Sequence, residues 1–241
     1  MKNGIKYILQ KLLGYQQYLY VFAKFKIKTL HLDRKEGDFF HFIDAISKEG
    51  IILDVGANIG IMTYHLSKKF PQHAIYSIEP IPDNIAILNK IIKRFNLRNV
   101  RVLPIAVGNE NTFLEMVLPL KGKVKMQGLA HVLHESIEEW NEGDKFKVKS
   151  VKLDDEISES VSAIKMDIEN FEFFALLGGQ SLIERNKPVI YLELWPNSNR
   201  DKCFNLLEEM NYVAYVIENN KKVVFNPKKH NKQNFIFVNE S

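Results

Sequence analysis

Short apolar runs and amphipathic segments alternate along the chain from residue 51 onward. Residues 83–96 illustrate the helical segments, because their apolar side chains recur at intervals of three and four positions. The apolar runs predict seven strands, at residues 51–55, 74–79, 100–107, 161–168, 189–194, 212–217 and 234–238. Strands that alternate with helices predict an α/β fold, doubly wound around a mostly parallel seven-stranded sheet. No helical segment separates the last two strands, which predicts an antiparallel hairpin at the sheet edge.

Two regions interrupt this alternation. Residues 1–48 have a helical pattern and predict an N-terminal helical extension, followed by one domain at residues 49–241. Residues 111–153 contain two strand-like pieces, 112–118 and 145–153, and predict an insertion into that domain. Insertions of this kind usually lie at the carboxyl edge of a doubly wound sheet, so we expect this one beside the ligand site.

Charge sets the N-terminal region apart from the rest of the chain. The net charge of the 241 residues is +4, but residues 1–28 contain six lysines and no acid, so the remaining body is slightly acidic. The apolar stripe of residues 1–28 has two interpretations: it packs on the domain, or it makes a peripheral contact with an anionic membrane surface. The single cysteine and the lack of an apolar run long enough to span a bilayer predict a cytoplasmic location.

The first predicted strand ends in a glycine-rich loop, Asp54-Val55-Gly56-Ala57-Asn58-Ile59-Gly60. This is the general layout of a nucleotide site, but Ile61 stands where the dinucleotide fingerprint has its third glycine, and no P-loop lysine follows. Asp54 would repel a pyrophosphate and favours a ligand with an ammonium or sulfonium group. S-adenosylmethionine has both groups and no phosphate. Glu79 ends the second strand, where nucleotide-binding sheets carry an acid that accepts the ribose hydroxyls.

Five segments of the chain resemble the FkbM family of class I S-adenosylmethionine-dependent methyltransferases: 53–63, 78–82, 106–109, 164–177 and 188–194. The resemblance implies a Rossmann-like methyltransferase fold and S-adenosyl-L-methionine as cofactor. It also implies a cofactor site formed by Asp54, Gly56, Ala57, Asn58, Gly60, Glu79, Pro80 and Ala106. One position departs from the family pattern, because Asn170 stands where the family usually has glycine. A glycine there indicates a positive φ angle, and asparagine is the side chain that best tolerates one.

Three acids are expected to meet at the carboxyl edge of the sheet. Asp167 and Glu169 lie two positions apart at the end of one strand, and Glu193 ends the next strand. Methyl transfer to oxygen requires that the acceptor be aligned and that a hydroxyl proton be removed. We therefore predict Asp167 as the base or substrate-orienting acid, with Glu169 and Glu193 in support and Lys165 keeping a carboxylate ionised.

Two alternatives for this chemistry stay open. Some other class I O-methyltransferases hold Mg²⁺ with acids at these strand ends, so a role for Mg²⁺ is left undecided and no metal ligand is assigned. His131 and His134 are spaced to ligate a metal or to act as a base if the insertion covers the site. A polar lid surface is the favoured interpretation of these two histidines.

The leading hypothesis for function is an O-methyltransferase that acts on a hydroxyl of a sugar, a glycan or a small natural product, as the resemblance implies. A nucleic-acid methyltransferase is the alternative, and we expect no nucleic-acid partner for two reasons. Residues 167–170 are not the proline-rich loop that stacks a flipped base, and the body is slightly acidic. A non-catalytic cofactor-binding module is the third hypothesis. The oligomeric state is left open.

Overall fold

The computed structural model describes residues 2–33, 36–122, 124–137 and 140–241, with the backbone alone for residues 2–5. Its strands are β1 (Ile51–Val55), β2 (Ile75–Ile78), β3 (Val100–Leu103), β4 (Ala106–Val107), β5 (Thr112–Lys121), β6 (Val124–Lys125), β7 (His131–Val132), β8 (Gly143–Val151), β9 (Val161–Met166), β10 (Val189–Glu193), β11 (Tyr212–Glu218), β12 (Lys221–Val224) and β13 (Asn234–Asn239). Its α-helices are α1 (Lys2–Leu13), α2 (Tyr15–Thr29), α3 (Asp38–Ala45), α4 (Ile61–Lys69), α5 (Pro82–Phe95), α6 (Leu153–Glu156), α7 (Glu172–Leu177), α8 (Gln180–Asn186) and α9 (Ser198–Glu209).

The main sheet has the parallel centre that the alternating pattern predicts. Strands β3, β2, β1, β9 and β10 lie side by side in that order, and each runs parallel to its neighbours. Every residue of β1, β2 and β9 is buried, because helices pack on both faces of the sheet. The predicted doubly wound α/β fold is confirmed.

At the other edge of the sheet, the antiparallel pairing predicted for the last two strands is confirmed between β11 and β13, but the number of strands differs from the prediction. Strand β13 lies between β10 and β11 and is antiparallel to both, and β12 adds an eighth strand to this sheet in the described part of the chain. Asn219 and Asn220 have left-handed φ angles of 50° and 61° and close a two-residue hairpin between β11 and β12. The prediction of seven strands was wrong because β12 begins with the exposed residues Lys221 and Lys222. Such polar residues are typical of an edge strand, but in the sequence they resemble a loop.

The segment between β9 and β10 forms two short helices, α7 and α8, rather than one continuous helix. A Cβ atom on Gly178 would lie 1.9 Å from the carbonyl oxygen of Gly108, so the backbone passes too close for any side chain at this point. The amide of Leu182, in the first turn of α8, donates to Asp154 Oδ1 over 2.7 Å. Close packing and a new cap therefore end one helix and begin the next.

The insertion forms a second sheet. Strands β5 and β8 pair antiparallel along Thr112–Pro119 and Gly143–Ser150, and β4, β6 and β7 extend this sheet. The apolar side chains of Met116, Val132 and Val148 pack with Ile81 and Phe171 of the main domain. The second sheet thereby covers the edge at which the parallel strands end.

The two N-terminal helices have different environments. Helix α2 buries one face against α4 and α5, with Tyr18, Leu19, Ala23 and Ile27 beside Ile59, Ile87 and Ile91. Helix α1 contacts the insertion, where the Gln10 side chain donates to the carbonyl oxygen of Lys125 over 3.3 Å. It leaves an apolar stripe exposed, formed by Ile8, Leu9, Leu12 and Leu13. In the described ranges no helix is both long and apolar enough to cross a bilayer. Membrane contact through residues 1–28 stays a prediction.

Candidate active site

A cavity of about 400 Å³ opens at the carboxyl edge of the main sheet. Residues at the ends of β1, β2, β9 and β10 form one wall, among them Val55 and Ile78. The insertion contributes Met116 and Gln127, and α2 contributes Phe22. A cavity of this size is in the range that small ligands and cofactors occupy.

The glycine-rich loop folds over the end of β2. The amides of Gly56 and Ala57 both donate to the carbonyl oxygen of Ile78, over 2.9 and 3.0 Å. Gly56 has a φ angle of 73°, and a Cβ atom on it would lie 1.9 Å from the carbonyl oxygen of Asp167. Glycine is therefore required here to bring the loop against the end of β9. This contact fixes the loop beside the acids that follow β9.

Glu79 is buried at the base of the cavity and already has protein partners. Its Oε2 accepts the amide hydrogen of Asn58 at 2.8 Å, and its Oε1 accepts from the Ile81 amide at 2.9 Å and the Asn84 side chain at 3.1 Å. Burial raises the pKa of Glu79 to about 7, although the hydrogen bonds oppose the shift. A carboxylate offers about four acceptor positions, so roughly one remains for a ligand on the cavity side.

Asp54 lies behind the cavity wall rather than on it. Its side chain is fully buried, its Oδ2 accepts from Thr63 Oγ1 at 2.6 Å, and its Oδ1 lies 3.5 Å from Lys165 Nζ. Asp54 is not among the residues that line the cavity, and the described partners of its carboxylate are Thr63 and Lys165. Its role as a cofactor-binding residue stays a prediction.

Lys165 connects the glycine-rich loop to the acids. Its Nζ donates to the carbonyl oxygen of Gly56 over 3.0 Å and lies 3.9 Å from Asp167 Oδ2. Burial alone would lower the pKa of Lys165, but the charges of Asp54, Asp167 and Glu193 outweigh burial and raise it. Lys165 therefore stays charged, and it stabilises negative charge on the neighbouring carboxylates.

The three acids predicted to be catalytic, Asp167, Glu169 and Glu193, all line the cavity. The charge of Asp167, followed by burial, raises the pKa of Glu193 to about 8. Burial, followed by the charges of Asp167 and Glu193, raises the pKa of Glu169 well above its ordinary value. Burial and the charge of Asp167 therefore favour the protonated form of both neighbouring carboxyl groups.

Asn170 has the backbone that the usual family glycine indicates. Its φ angle is 77°, and that of Glu169 is 54°, so both lie in the left-handed region. The predicted positive φ at Asn170 is confirmed. Glu172 supports the turn, because its Oε1 accepts the amide hydrogen of Ile168 at 2.8 Å.

The residues predicted to bind the cofactor, apart from Asp54, divide into two groups. Gly56, Ala57, Asn58, Glu79, Pro80 and Ala106 line the cavity. Gly60 does not line it. This glycine precedes α4 with a φ angle of 83°, and a Cβ atom on it would lie 2.7 Å from Leu88 Cδ1. Its role in the structure is to let α4 begin against α5.

Sequence reasoning missed the cavity residues that precede the first strand. Lys26 and Glu36 both line the cavity, and Lys26 Nζ lies 2.6 Å from Asp33 Oδ2. Burial and the charge of Asp167 raise the pKa of Glu36. Lys26 lies between Phe25 and Ile27 in the basic and apolar segment of residues 1–28. The composition of that segment indicates a contact surface rather than a ligand site. No local signal in the sequence marks either residue as functional.

The histidines of the insertion have structural surroundings. His131 is buried, with Nδ1 2.8 Å from the carbonyl oxygen of Leu129 and Nε2 3.0 Å from Asn141 Oδ1. The ring of His134 packs on Phe174 with centroids 4.5 Å apart. The interpretation of a polar lid surface is wrong for His131, because its ring is enclosed. Within the described ranges no group of three histidine, cysteine or acidic side chains is arranged to hold a metal ion.

Comparisons with known proteins agree with this fold. The crystal structure of methyltransferase FkbM from Methylobacillus flagellatus KT matches with a TM-score of 0.55 and 16% identity, covering 95% of this chain and 57% of that one. The structure of precorrin-6y C5,15-methyltransferase from Geobacter metallireducens GS-15 matches with a TM-score of 0.50 and 15% identity, covering 87% and 91%. Because both likenesses are under 25% identity, they show the fold alone: a doubly wound sheet of the kind found in class I S-adenosylmethionine-dependent methyltransferases.

The family within that class is also shown. The family model of the methyltransferase FkbM domain matches residues 54–218, which is more than half of the chain. The chain belongs to the FkbM methyltransferase family. A curated relative, "Methyltransferase 1" of Beauveria bassiana (strain ARSEF 2860), is 23% identical over 145 residues, which are 54% of this chain and 58% of the relative. The chain thus spans less than two thirds of the length of both this relative and the Methylobacillus protein.

Proposed function

We propose that the protein transfers a methyl group from S-adenosylmethionine to a hydroxyl group of a sugar, a glycan or a small natural product. One observation carries the proposal: the cavity joins the glycine-rich loop and Glu79 on one side to Asp167, Glu169 and Glu193 on the other. The first set has the chemistry of a nucleoside site, and the second has the chemistry of proton transfer.

The residues of the cavity fit the cofactor. Glu79 has acceptor capacity for a ribose hydroxyl, and Ile81, Ile105 and Ala106 give an apolar surface for a base. The close approach at Gly56 leaves backbone rather than side chains at the loop surface. When bound, the cofactor supplies an electrophilic methyl group on a sulfonium sulfur.

The acids of the cavity then have separate roles. Asp167 takes the proton that the acceptor hydroxyl loses, with the charge of Lys165 3.9 Å away stabilising the carboxylate. Glu193, with a pKa of about 8, is protonated at neutral pH and donates a hydrogen bond to an acceptor oxygen. Glu169 lines the same cavity and helps to orient the acceptor. This arrangement aligns a neutral, oxygen-rich acceptor beside the base.

Two features disfavour a nucleic-acid acceptor. Both lysines that line the cavity are already paired, Lys26 with Asp33 and Lys165 with Asp54 and Asp167, so neither is offered to a phosphate backbone. Residues 167–170 are also not the proline-rich loop that stacks a flipped base. A candidate rRNA methylase from Clostridium thermocellum has a TM-score of 0.50 to this chain at 12% identity, which is a likeness of fold alone.

Methyl transfer from labelled S-adenosylmethionine tests the proposal. The acceptors are a panel of methyl glycosides, lipid-linked sugars and total RNA, each assayed with and without a chelator. We expect label on a saccharide or small hydroxylated acceptor, and loss of that label in Asp167→Asn. Calorimetry should detect S-adenosylhomocysteine and no binding of NAD. Binding of NAD in place of the sulfonium cofactor, or label on RNA alone, would refute the proposal.

A further inference from the structure

A second cavity, of about 410 Å³, lies directly beside the first. The two cavities share Leu129, Glu169 and Trp195 on their walls. Glu169 belongs to the acidic cluster of the first cavity, so a molecule bound in the second cavity would contact that cluster directly. The second cavity is therefore placed where an acceptor would have to lie.

The walls of the second cavity combine flat apolar surfaces with amides. Both tryptophans of the chain, Trp140 and Trp195, line it, although 55 positions separate them in the sequence. Asn170 and Asn197 line the same cavity, and Asn197 Nδ2 donates to Asn170 Oδ1 over 2.8 Å. Trp140 is 37% exposed, and Lys121 Nζ lies 5.7 Å from the centroid of its ring. Neither tryptophan has been assigned a role by the chemistry described so far.

The amides retain hydrogen-bonding capacity on the donor side. Asn197 Oδ1 is occupied by the amides of Asn199 and Arg200, at 3.0 and 3.2 Å, and Asn170 Oδ1 by Asn197. The two Nδ2 groups have four hydrogens between them, and the bonds described use one of these. Glu169 adds a carboxyl group to the same wall. The site therefore offers hydrogen-bond donors to a ligand rich in neutral oxygens.

We propose that this second cavity is the acceptor subsite and that it binds a glycosyl residue. A pyranose ring presents an apolar C–H face, which suits an indole ring, and a rim of hydroxyls, which suits the amides. The inference rests on the proposed function, because it names the acceptor of the same site. It selects a saccharide over an apolar natural product, since a purely apolar ligand would leave the amide donors unpaired.

Asn170 is the residue that adapts the subsite in this chain. It stands at the position where the family usually has glycine, its backbone is left-handed, and its side chain lines the second cavity. Asn170→Gly removes the amide and leaves the backbone in a conformation that glycine adopts freely. It is therefore a probe that tests recognition with little cost to the fold.

Intrinsic fluorescence provides a readout that requires neither cofactor nor turnover, because both fluorophores line the cavity. The probes are the methyl glycosides of rhamnose, fucose, mannose, galactose and N-acetylglucosamine, together with glycerol as a non-cyclic polyol control. We expect a saturable change with at least one glycoside and none with glycerol. Trp140→Phe keeps a ring and assigns the remaining signal to Trp195. Asn170→Gly should weaken the binding about 3- to 10-fold, as loss of one or two neutral hydrogen bonds predicts.

The outcomes separate this inference from the function on which it rests. Saccharide binding without methyl transfer would support the subsite and refute the proposed reaction. Methyl transfer to an acceptor that leaves the fluorescence of both tryptophans unchanged would overturn the subsite. An affinity for the glycosides that is unchanged in both Asn170→Gly and Trp140→Ala, with S-adenosylhomocysteine binding intact in both variants, would overturn it as well.

Discussion

Cofactor affinity should depend on pH through one buried carboxyl group, Glu79. Its pKa is about 7, and a ribose hydroxyl can donate only to a lone pair that the proton has left. The ionised fraction is about nine tenths at pH 8 and one tenth at pH 6 for such a group. Because the binding-competent fraction scales the apparent dissociation constant, S-adenosylhomocysteine should bind about tenfold more weakly at pH 6 than at pH 8.

The matched variant is Glu79→Gln. Its side-chain amide keeps one acceptor, but its NH₂ group must face either the Asn58 amide or the Ile81 amide, both of which are donors. We expect the variant to bind about 1.5–3 kcal/mol more weakly at pH 8, the usual range for a hydrogen bond to a charged group. Its affinity should not change between pH 6 and pH 8.

Isothermal titration calorimetry at pH 6, 7 and 8 measures both effects in the same buffers. Adenosine provides a second probe, since it has the ribose diol without the amino-acid moiety, so its pH dependence reports on the ribose site. Affinities that stay constant with pH in the wild-type protein, or that change equally in Glu79→Gln, would refute the assignment of Glu79 to the ribose.

Three further predictions concern other parts of the molecule. Asp167→Asn should lower turnover by about 10²–10⁴-fold, the usual contribution of a general base, while calorimetry finds the affinity for S-adenosylhomocysteine little changed; wild-type turnover would remove Asp167 from the chemistry. Stability should fall as pH rises from 4.5 to 7, because Glu79 and Glu172 have pKa values of about 7 when folded against 4.5 in the unfolded chain. The contribution of each group to the free energy of unfolding falls by about 3 kcal/mol over that window. Urea unfolding at pH 5 and pH 8 measures whether stability decreases in this direction. The exposed stripe of α1 predicts sedimentation with anionic vesicles at low salt, and Leu12→Glu should abolish it, since Leu12 is 76% exposed; equal sedimentation of both proteins would contradict a role for the stripe.

The parallel centre of the sheet could be predicted because each of its strands is apolar throughout and is followed by an amphipathic segment. Position along the chain then placed Glu79, Asp167 and Glu193 at one edge, and the structure lines a single cavity with all three. Position along the chain does not predict whether a side chain lines the cavity or is buried behind its wall. Asp54 precedes a glycine turn as a cofactor ligand would, but its carboxylate points at Thr63.

Contacts between distant segments account for the rest. Lys26 reaches the cavity because α2 packs on α4 and α5, and Glu36 reaches it just before α3, which packs on β10. Nothing near either residue in the sequence indicates this. Trp140 and Trp195 line the same cavity because the insertion folds over the edge of the sheet. Patterns in the sequence report which face of an element is buried, but not which other element buries it.

The place of β13 in the sheet has a consequence for how the protein is made. It forms the hydrogen-bonded link between β10 and the β11–β12 hairpin, yet it is synthesised after both of them. A nascent chain that has reached residue 224 already contains both neighbours, each with an unpaired edge. Premature termination or proteolytic trimming before residue 234 would leave those edges open to other chains, so such fragments should aggregate or be degraded. Removal of as few residues from α1 would open no edge of the main sheet, so we expect damage to α1 and damage to β13 to be tolerated very differently.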